Sequence, residues 1–340
     1  VWAFIFQPKS QKNKRANGRF KRVLLSKGII MPLATFAPMA EAHFRLAPTP
    51  SGHLHQGNAY AFVLTWLAAR SIGGSILLRF DDLDQARYRR AYADGVFRTL
   101  ESLKLDYDQG PQTVADLENQ WSQKKRLPLY VDALEELKKR ELLFACRCSR
   151  KELRASSGSG HYPGTCLNLH LPLDDGKLAW RWRGPNNAIL PLEERFFVVR
   201  RRDGIPAYHL ASTVDDRHFA ISHLVRGEDL IGATRMQLAL AEFLWPAFRA
   251  SKFYFHALLT SPKGKKLSKS QKAPAILEGL AKPGGATTFY HGFSAWMGLE
   301  GTYSSAQEIL AAINRKEESH WPWLRNPPGV PREKEHLPGG

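Results

Sequence analysis

Apolar residues fall into two rhythms along this chain. Short contiguous runs at His43–Ala47 and Ser75–Phe80 predict strands, and between them Ala59, Phe62, Trp66 and Leu67 recur at helical spacing. The helix so predicted runs from about Asn58 to Ser71 and presents one apolar side; Gly73-Gly74 stops it. Tyr92, Val96, Leu100 and Leu103 predict a second helix over Ala91–Lys104, and Tyr130, Leu134 and Leu137 a third over Lys125–Leu143. After a middle stretch with only short strand candidates (Leu178–Trp182 and Arg195–Arg200), strand and helix alternate again at Ile221–Val225 and Thr234–Leu244. Alternating strands and helices predict an α/β fold with a doubly wound, Rossmann-type parallel sheet.

This pattern divides the chain. Residues 1–40 read as a disordered or non-native leader, 41–144 as the first half of the α/β domain and 145–203 as a small insertion. Residues 204–260 supply the second half of the domain. A Lys-rich loop and a helical C-terminal segment fill 261–325, and a Pro/Gly-rich, charged tail closes 326–340. Neither an internal repeat nor a long low-complexity tract interrupts the order.

Charge changes the picture less than its total suggests. The formal net charge is +17, but residues 1–40 carry eight Lys/Arg and no acid, which leaves +9 for the rest. That is a moderately basic body, suited to a polyanionic partner such as nucleic acid. The apolar stretch Val23–Ala40 is broken by Lys27 and Pro32, so no membrane span is expected. The amino end has its apolar piece before its basic piece, the reverse of a secretory signal. An Arg-rich, acid-free leader in residues 1–30 is compatible with an organelle transit peptide, the less favoured reading beside an extension with Met31 or Met39 as the natural start. All three cysteines lie between positions 146 and 166, which argues against a disulfide framework and for a reducing, cytoplasmic compartment.

Candidate chemistry begins where the first strand meets the first helix, at Arg45-Leu-Ala-Pro-Thr-Pro-Ser-Gly-His-Leu-His-Gln-Gly-Asn58. A turn from a strand's carboxyl end into a helix N-terminus is an anion site, because unpaired N–H groups and the helix dipole face the ligand. His53 and His55 flank that site, and Gly57 lets a ligand approach the backbone. Read alone, His55 is as well explained as a helix cap or a core histidine. A second cationic element, Lys265-Lys266-Leu267-Ser268-Lys269-Ser270, could be a solvated loop or a nucleic-acid patch. Asp81-Asp82-Leu83-Asp84 could be a metal-binding acidic cluster, and Arg226-Gly-Glu-Asp-Leu230 a surface turn. Three thiols in one short segment (Cys146, Cys148, Cys166) suit tetrahedral zinc, with His161 or His170 as the fourth donor on chemistry alone.

Together these residues carry a resemblance. His55-Gln56-Gly57-Asn58 resembles the HIGH signature of class I aminoacyl-tRNA synthetases, with Asn58 where the second histidine often stands. Lys266–Ser270 resembles their KMSKS signature, with Leu267 for Met, at the order and distance found in the shorter enzymes. Arg45 to Gly52 looks like the glutamate-specific branch. Cys-x-Cys followed by Tyr-x-x-x-Cys is similar to the zinc site of the glutamyl-Q tRNA(Asp) synthetase family. The motifs cover residues 43 to 272, and the chain after Lys272 is too short for a helical anticodon domain.

The resemblance implies a ligase that activates L-glutamate with ATP and Mg2+ to glutamyl-adenylate. It then transfers the glutamyl group to the queuosine in the anticodon of tRNA(Asp), working as a monomer. It implies His55 and Lys269 as catalytic residues, and His53, His55, Gly57, Asn58, Lys266, Ser268 and Lys269 as the ATP site. Glutamate would be held by Arg45, Leu46, Ala47, Pro48, Thr49, Asp81, Tyr208 and Arg226, since two carboxylates and an ammonium call for guanidinium groups and an acid. Asp81 stands where the family has Glu, one methylene longer. Cys146, Cys148, Tyr162 and Cys166 would hold a structural Zn2+. A glutamyl-tRNA synthetase charging tRNA(Glu) and a catalytically inactive RNA-binding module are the alternatives.

Overall fold

The computed structural model describes residues 41–149, 151–153, 162–185, 190–191, 194–259 and 275–315. The leader 1–40, His161, the Lys-rich loop with Lys266, Ser268 and Lys269, and the tail 326–340 lie outside the described residues.

Strand β1 (His43–Leu46) leads through the Pro/Gly turn into helix α1 (Gln56–Ser71), and the chain returns as β2 (Ser75–Leu78), parallel to β1 with His43 opposite Ser75. β2 ends two residues before the apolar run does. Arg79 and Phe80 leave the sheet but stay beside the turn, with Arg79 N–H donating to the Leu46 carbonyl (2.8 Å) and Asp81 N–H to that of Pro48 (2.9 Å). Helix α2 (Arg90–Ser102), the single turn α3 (Val114–Asp116) and helix α4 (Leu127–Lys139) follow.

The third predicted helix runs too long. α4 ends at Lys139, Glu141 takes a left-handed φ of 56°, and Leu143 opens a strand, β3 (Leu143–Cys146). Four apolar residues in a row carry no periodicity that separates strand from helix. β3 pairs antiparallel with β4 (Ala179–Trp182), and β4 with β5 (Val198–Arg200). This sheet and the cysteine segment interrupt the α/β order.

Helix α5 (Tyr208–His218), strand β6 (His223–Gly227), helix α6 (Ile231–Leu244) and strand β7 (Lys252–His256) complete a second parallel pair, β6 with β7. The two pairs are tied where Ser222 N–H donates to the His43 carbonyl (3.0 Å) and His43 N–H to Ser222 Oγ (2.9 Å). Helices α7 (Ile276–Leu280), α8 (Gly285–Met297) and α9 (Ala306–Arg315) follow.

These last helices explain why α1 is not amphipathic as expected. Ten of the eleven residues from Ala59 to Ala69, all but Ala61, are buried around its whole circumference. One face meets the strands, and Tyr60 on another packs against Phe289, Phe293 and Trp296 of α8, each at 5.1 Å between ring centroids. A helix covered on all sides needs apolar residues all round.

Candidate active site

The carboxyl ends of β1, β2 and β6 and the N-terminus of α1 converge on a cavity of about 510 Å³. It is lined by Arg45, Leu46, Ala47, Pro48, Thr49, His55, Gly57, Asn58, Asp81, Tyr208 and Arg226, residues from four separate stretches of sequence. Arg79, His256 and Trp296, which the sequence did not single out, line it too. His53 does not. Its ring is exposed and sits edge-on to Tyr92 of α2 (4.8 Å).

His55 is the N-cap of α1. Its backbone is extended, its Nδ1 accepts from Gly57 N–H (3.1 Å), and its own N–H donates to Asn58 Oδ1 (3.1 Å). The pair forms a reciprocal capping box with an imidazole in the role usually taken by Ser or Thr. A methyl group on Gly57 would lie 3.1 Å from His55 Cε1 and 3.2 Å from its Nδ1, so the glycine lets the ring lie over the first turn. With His55 as cap, the first turn of a 16-residue helix and its dipole end open at the cavity.

Opposite stands a set of buried charges. Arg79 donates to Asp81 (2.9 Å from Nε) and to Asp216 (2.6 Å from Nη1), and its Nε is 3.8 Å from Asp215. Arg45 Nε and Arg226 Nη2 approach Asp216 at 3.3 and 3.5 Å, and Arg226 Nη1 donates to Thr234 Oγ1 (2.7 Å). Asp215 is satisfied elsewhere, by Arg126 (2.7 Å), Tyr130 (2.7 Å) and Gln123 (2.9 Å). Burial alone would raise the Asp215 carboxyl, but Arg79, Arg126 and Gln123 outweigh it and hold it below the usual value. For Asp81 burial wins and the carboxyl is raised despite Arg79. Arg226 is pushed down to about 10, first by burial and then by the neighbouring Arg45. Arg45, Arg79 and Arg226 share the single carboxylate of Asp216 and all line the cavity, an arrangement that favours an anion there.

Sequence reading missed this centre because Arg79, Arg126, Asp215 and Asp216 look like surface residues. The available signal was position: Asp215 and Asp216 lie two helical turns after Tyr208, on the same helix. The acidic run is no metal cluster either. Asp81 is held by Arg79, while Asp82 accepts from Ser122 Oγ (2.6 Å) and Gln123 N–H (2.7 Å).

A second cavity of about 910 Å³ adjoins the first and shares Thr49, Asp81 and Tyr208 with it. Its far side is made by the cysteine segment and by Arg181 and Arg201. There the Sγ atoms of Cys146, Cys148 and Cys166 lie within 4.8 Å of one another, the group among the described residues that could hold a metal ion. Cys148 and Cys166 sulfurs are 3.5 Å apart, close to the ~3.8 Å expected of two thiolates on one tetrahedral ion. The Tyr162 hydroxyl accepts from Cys166 N–H (2.7 Å), which puts an oxygen beside the three sulfurs. Arg181 stacks over its ring at 3.9 Å, while burial and then the neighbouring thiols push the phenol well above its ordinary value, so the hydroxyl keeps its proton until a metal displaces it. His170 is not in the group.

Comparison with known proteins agrees with this geometry. The family model for the catalytic domain of class I tRNA synthetases (E and Q) matches residues 41–165 and 190–312. A glutamyl-Q tRNA(Asp) synthetase from Nitratidesulfovibrio vulgaris is 37% identical over 259 residues, 68% of this chain and 79% of that protein. One from Pseudomonas fluorescens is 37% identical over 250 residues, 70% of this chain and 80% of that protein. Among solved structures, a glutamate–tRNA synthetase from Elizabethkingia anophelis superposes with a TM-score of 0.54 at 25% identity over 68% of this chain. The match covers 53% of that longer chain, so this chain spans about half of its length. The chain is thus a ligase of the aminoacyl-tRNA synthetase type and belongs, within the class I synthetases for E and Q, to the glutamyl-Q tRNA(Asp) synthetase family.

Proposed function

We propose that the chain activates L-glutamate with ATP and transfers the glutamyl group to the queuosine base of tRNA(Asp). One observation carries the activation step: Arg45 and Arg226 border the same cavity as the capped N-terminus of α1. The arginines seat the two carboxylates, and Asp81 with Tyr208 takes the ammonium end. The α-carboxylate then attacks the α-phosphorus in line, its new C–O–P link forming as the bond to pyrophosphate breaks. His55 and the open first turn of α1 stabilise charge on the α-phosphate, with Gly57 and Asn58 beside them. Lys266, Ser268 and Lys269 complete the clamp on the leaving phosphates, where Mg2+ accompanies ATP. The cysteine cluster with Tyr162 suits a structural Zn2+, which fixes the insertion and takes no part in the reaction.

The names of the relatives support tRNA(Asp) as acceptor. The likeness to solved glutamate–tRNA synthetases favours a second reading, charging of tRNA(Glu). Glutamate-dependent ATP–pyrophosphate exchange without RNA tests activation. Labelled glutamate offered with queuosine-bearing tRNA(Asp), the same tRNA lacking queuosine, and tRNA(Glu) tests the acceptor. Labelling of the first alone is expected, and labelling of tRNA(Glu) alone would replace this reading by the second.

A further inference from the structure

Asp216 belongs to none of the motifs above and does not line the cavity, yet its carboxylate is where the arginines meet. It is fully buried and is approached by Arg45 Nε (3.3 Å), Arg79 Nη1 (2.6 Å) and Arg226 Nη2 (3.5 Å). Those three side chains come from the ends of three different strands, at positions 45, 79 and 226. Arg79 has a second carboxylate in Asp81. Arg226 has the Thr234 hydroxyl at 2.7 Å, while its Nε is buried without a partner. Three like charges in a dry pocket repel, so without an acid at their centre these three, all of which line the cavity, would splay apart.

We propose that Asp216 is the positioning residue of the amino-acid site: it holds Arg45 and Arg226 side by side, with the rest of their N–H groups turned to a dicarboxylic amino acid. Asp216 itself touches no substrate. The inference rests on glutamate being the amino acid. It differs in sign from a purely electrostatic role. If Asp216 only tempered the positive potential, its neutralisation would tighten anion binding. If it positions the guanidiniums, neutralisation weakens glutamate binding although the site becomes more positive.

Asp216→Asn in the full chain, read by ATP–pyrophosphate exchange, separates the two. The expected result is a KM for glutamate raised about tenfold or more, the loss of a charged hydrogen-bond anchor, while the KM for ATP moves by less than about twofold. Asp216→Glu, which keeps the charge, is expected to recover most of the glutamate KM. Asp82→Asn is the control. That carboxylate is also buried but accepts from Ser122 Oγ and Gln123 N–H and lines neither cavity, so it should lower the melting temperature without changing the ratio of the two KM values. Should Asp216→Asn not fold, Thr234→Val removes the second anchor of Arg226 and is expected to raise the glutamate KM severalfold.

The inference is overturned by a folded Asp216→Asn whose glutamate KM is unchanged or lower. It is also overturned by a rise shared equally with ATP or with Asp82→Asn, and by a wild-type glutamate KM in Thr234→Val. Exchange by the wild-type chain is measured first. If no amino acid supports it, the proposed function fails and this inference with it; if glutamate supports it, the variant results bear on Asp216 alone.

Discussion

Arg79 Nε donates to Asp81 at 2.9 Å, so the carboxylate expected to meet the substrate ammonium is already engaged by a guanidinium two residues before it in the chain. The shorter side chain at 81 and this ion pair both limit its reach toward a ligand. Asp81→Glu adds the missing methylene. It is expected to lower the glutamate KM by about three- to tenfold in pyrophosphate exchange, the value of a charge-assisted hydrogen bond made at better reach. An unchanged KM would mean that the ammonium is held elsewhere.

Gly57→Ala places a methyl group 3.1 Å from the His55 ring, inside the separation that real side chains tolerate without shifting. The ring must give by a few tenths of an ångström, which loosens its cap on the first turn of α1. A drop in exchange rate of about tenfold is expected from a misplaced charge-stabilising group, with loss of up to about 1 kcal/mol of stability from the cap. Rate and denaturation midpoint, measured on one preparation, check both.

Arg226 keeps its charge because even a value lowered to about 10 by burial and by Arg45 stays above neutrality. A lysine starts from a lower ordinary value, and the same surroundings favour its neutral form. Arg226→Lys should therefore bind glutamate more weakly as pH rises from about 7 to about 9, while the wild type stays nearly flat there. Parallel profiles for the two proteins would count against this assignment.

Phe293 is fully buried in α8 against Tyr60 of α1. Phe293→Ala is expected to cost ~3–5 kcal/mol by denaturant unfolding, the usual penalty for removing a core aromatic ring. A cost below about 1 kcal/mol would show that α8 does not hold α1 in place.

Cys148→Ser and Cys166→Ser should each lower bound zinc from about one ion per chain toward none, measured by elemental analysis, and destabilise the β3–β5 sheet. Wild-type zinc content in either variant would remove these sulfurs from the metal group.

Parts of this architecture were legible in the sequence for plain reasons. β1, β2 and α1 follow directly from apolar periodicity, and the turn between them announces itself through Pro, Gly and His. α5 was missed because its face toward the core carries Ser212, Thr213, Asp215 and Asp216, buried only because arginines from other strands neutralise the acids. Partners 171 and 137 residues away (Arg45 and Arg79 on Asp216) leave no local trace in the sequence. β7 went unread for a simpler reason: Lys-Phe-Tyr-Phe-His is short, and its parallel partner is remote in sequence. The residues picked out at 45–49, 55, 57, 58, 81, 208 and 226 line one cavity, whereas His53 does not.

The reach of Asp216 across the chain also bears on biosynthesis. A ribosome that has delivered the chain only as far as residue 144 has made Arg45 and Arg79, but neither Arg226 nor the acid at which all three meet. A nascent or proteolytic fragment of that kind should neither retain glutamate nor be protected by it, and ligand protection in hydrogen exchange should arise in both halves at once.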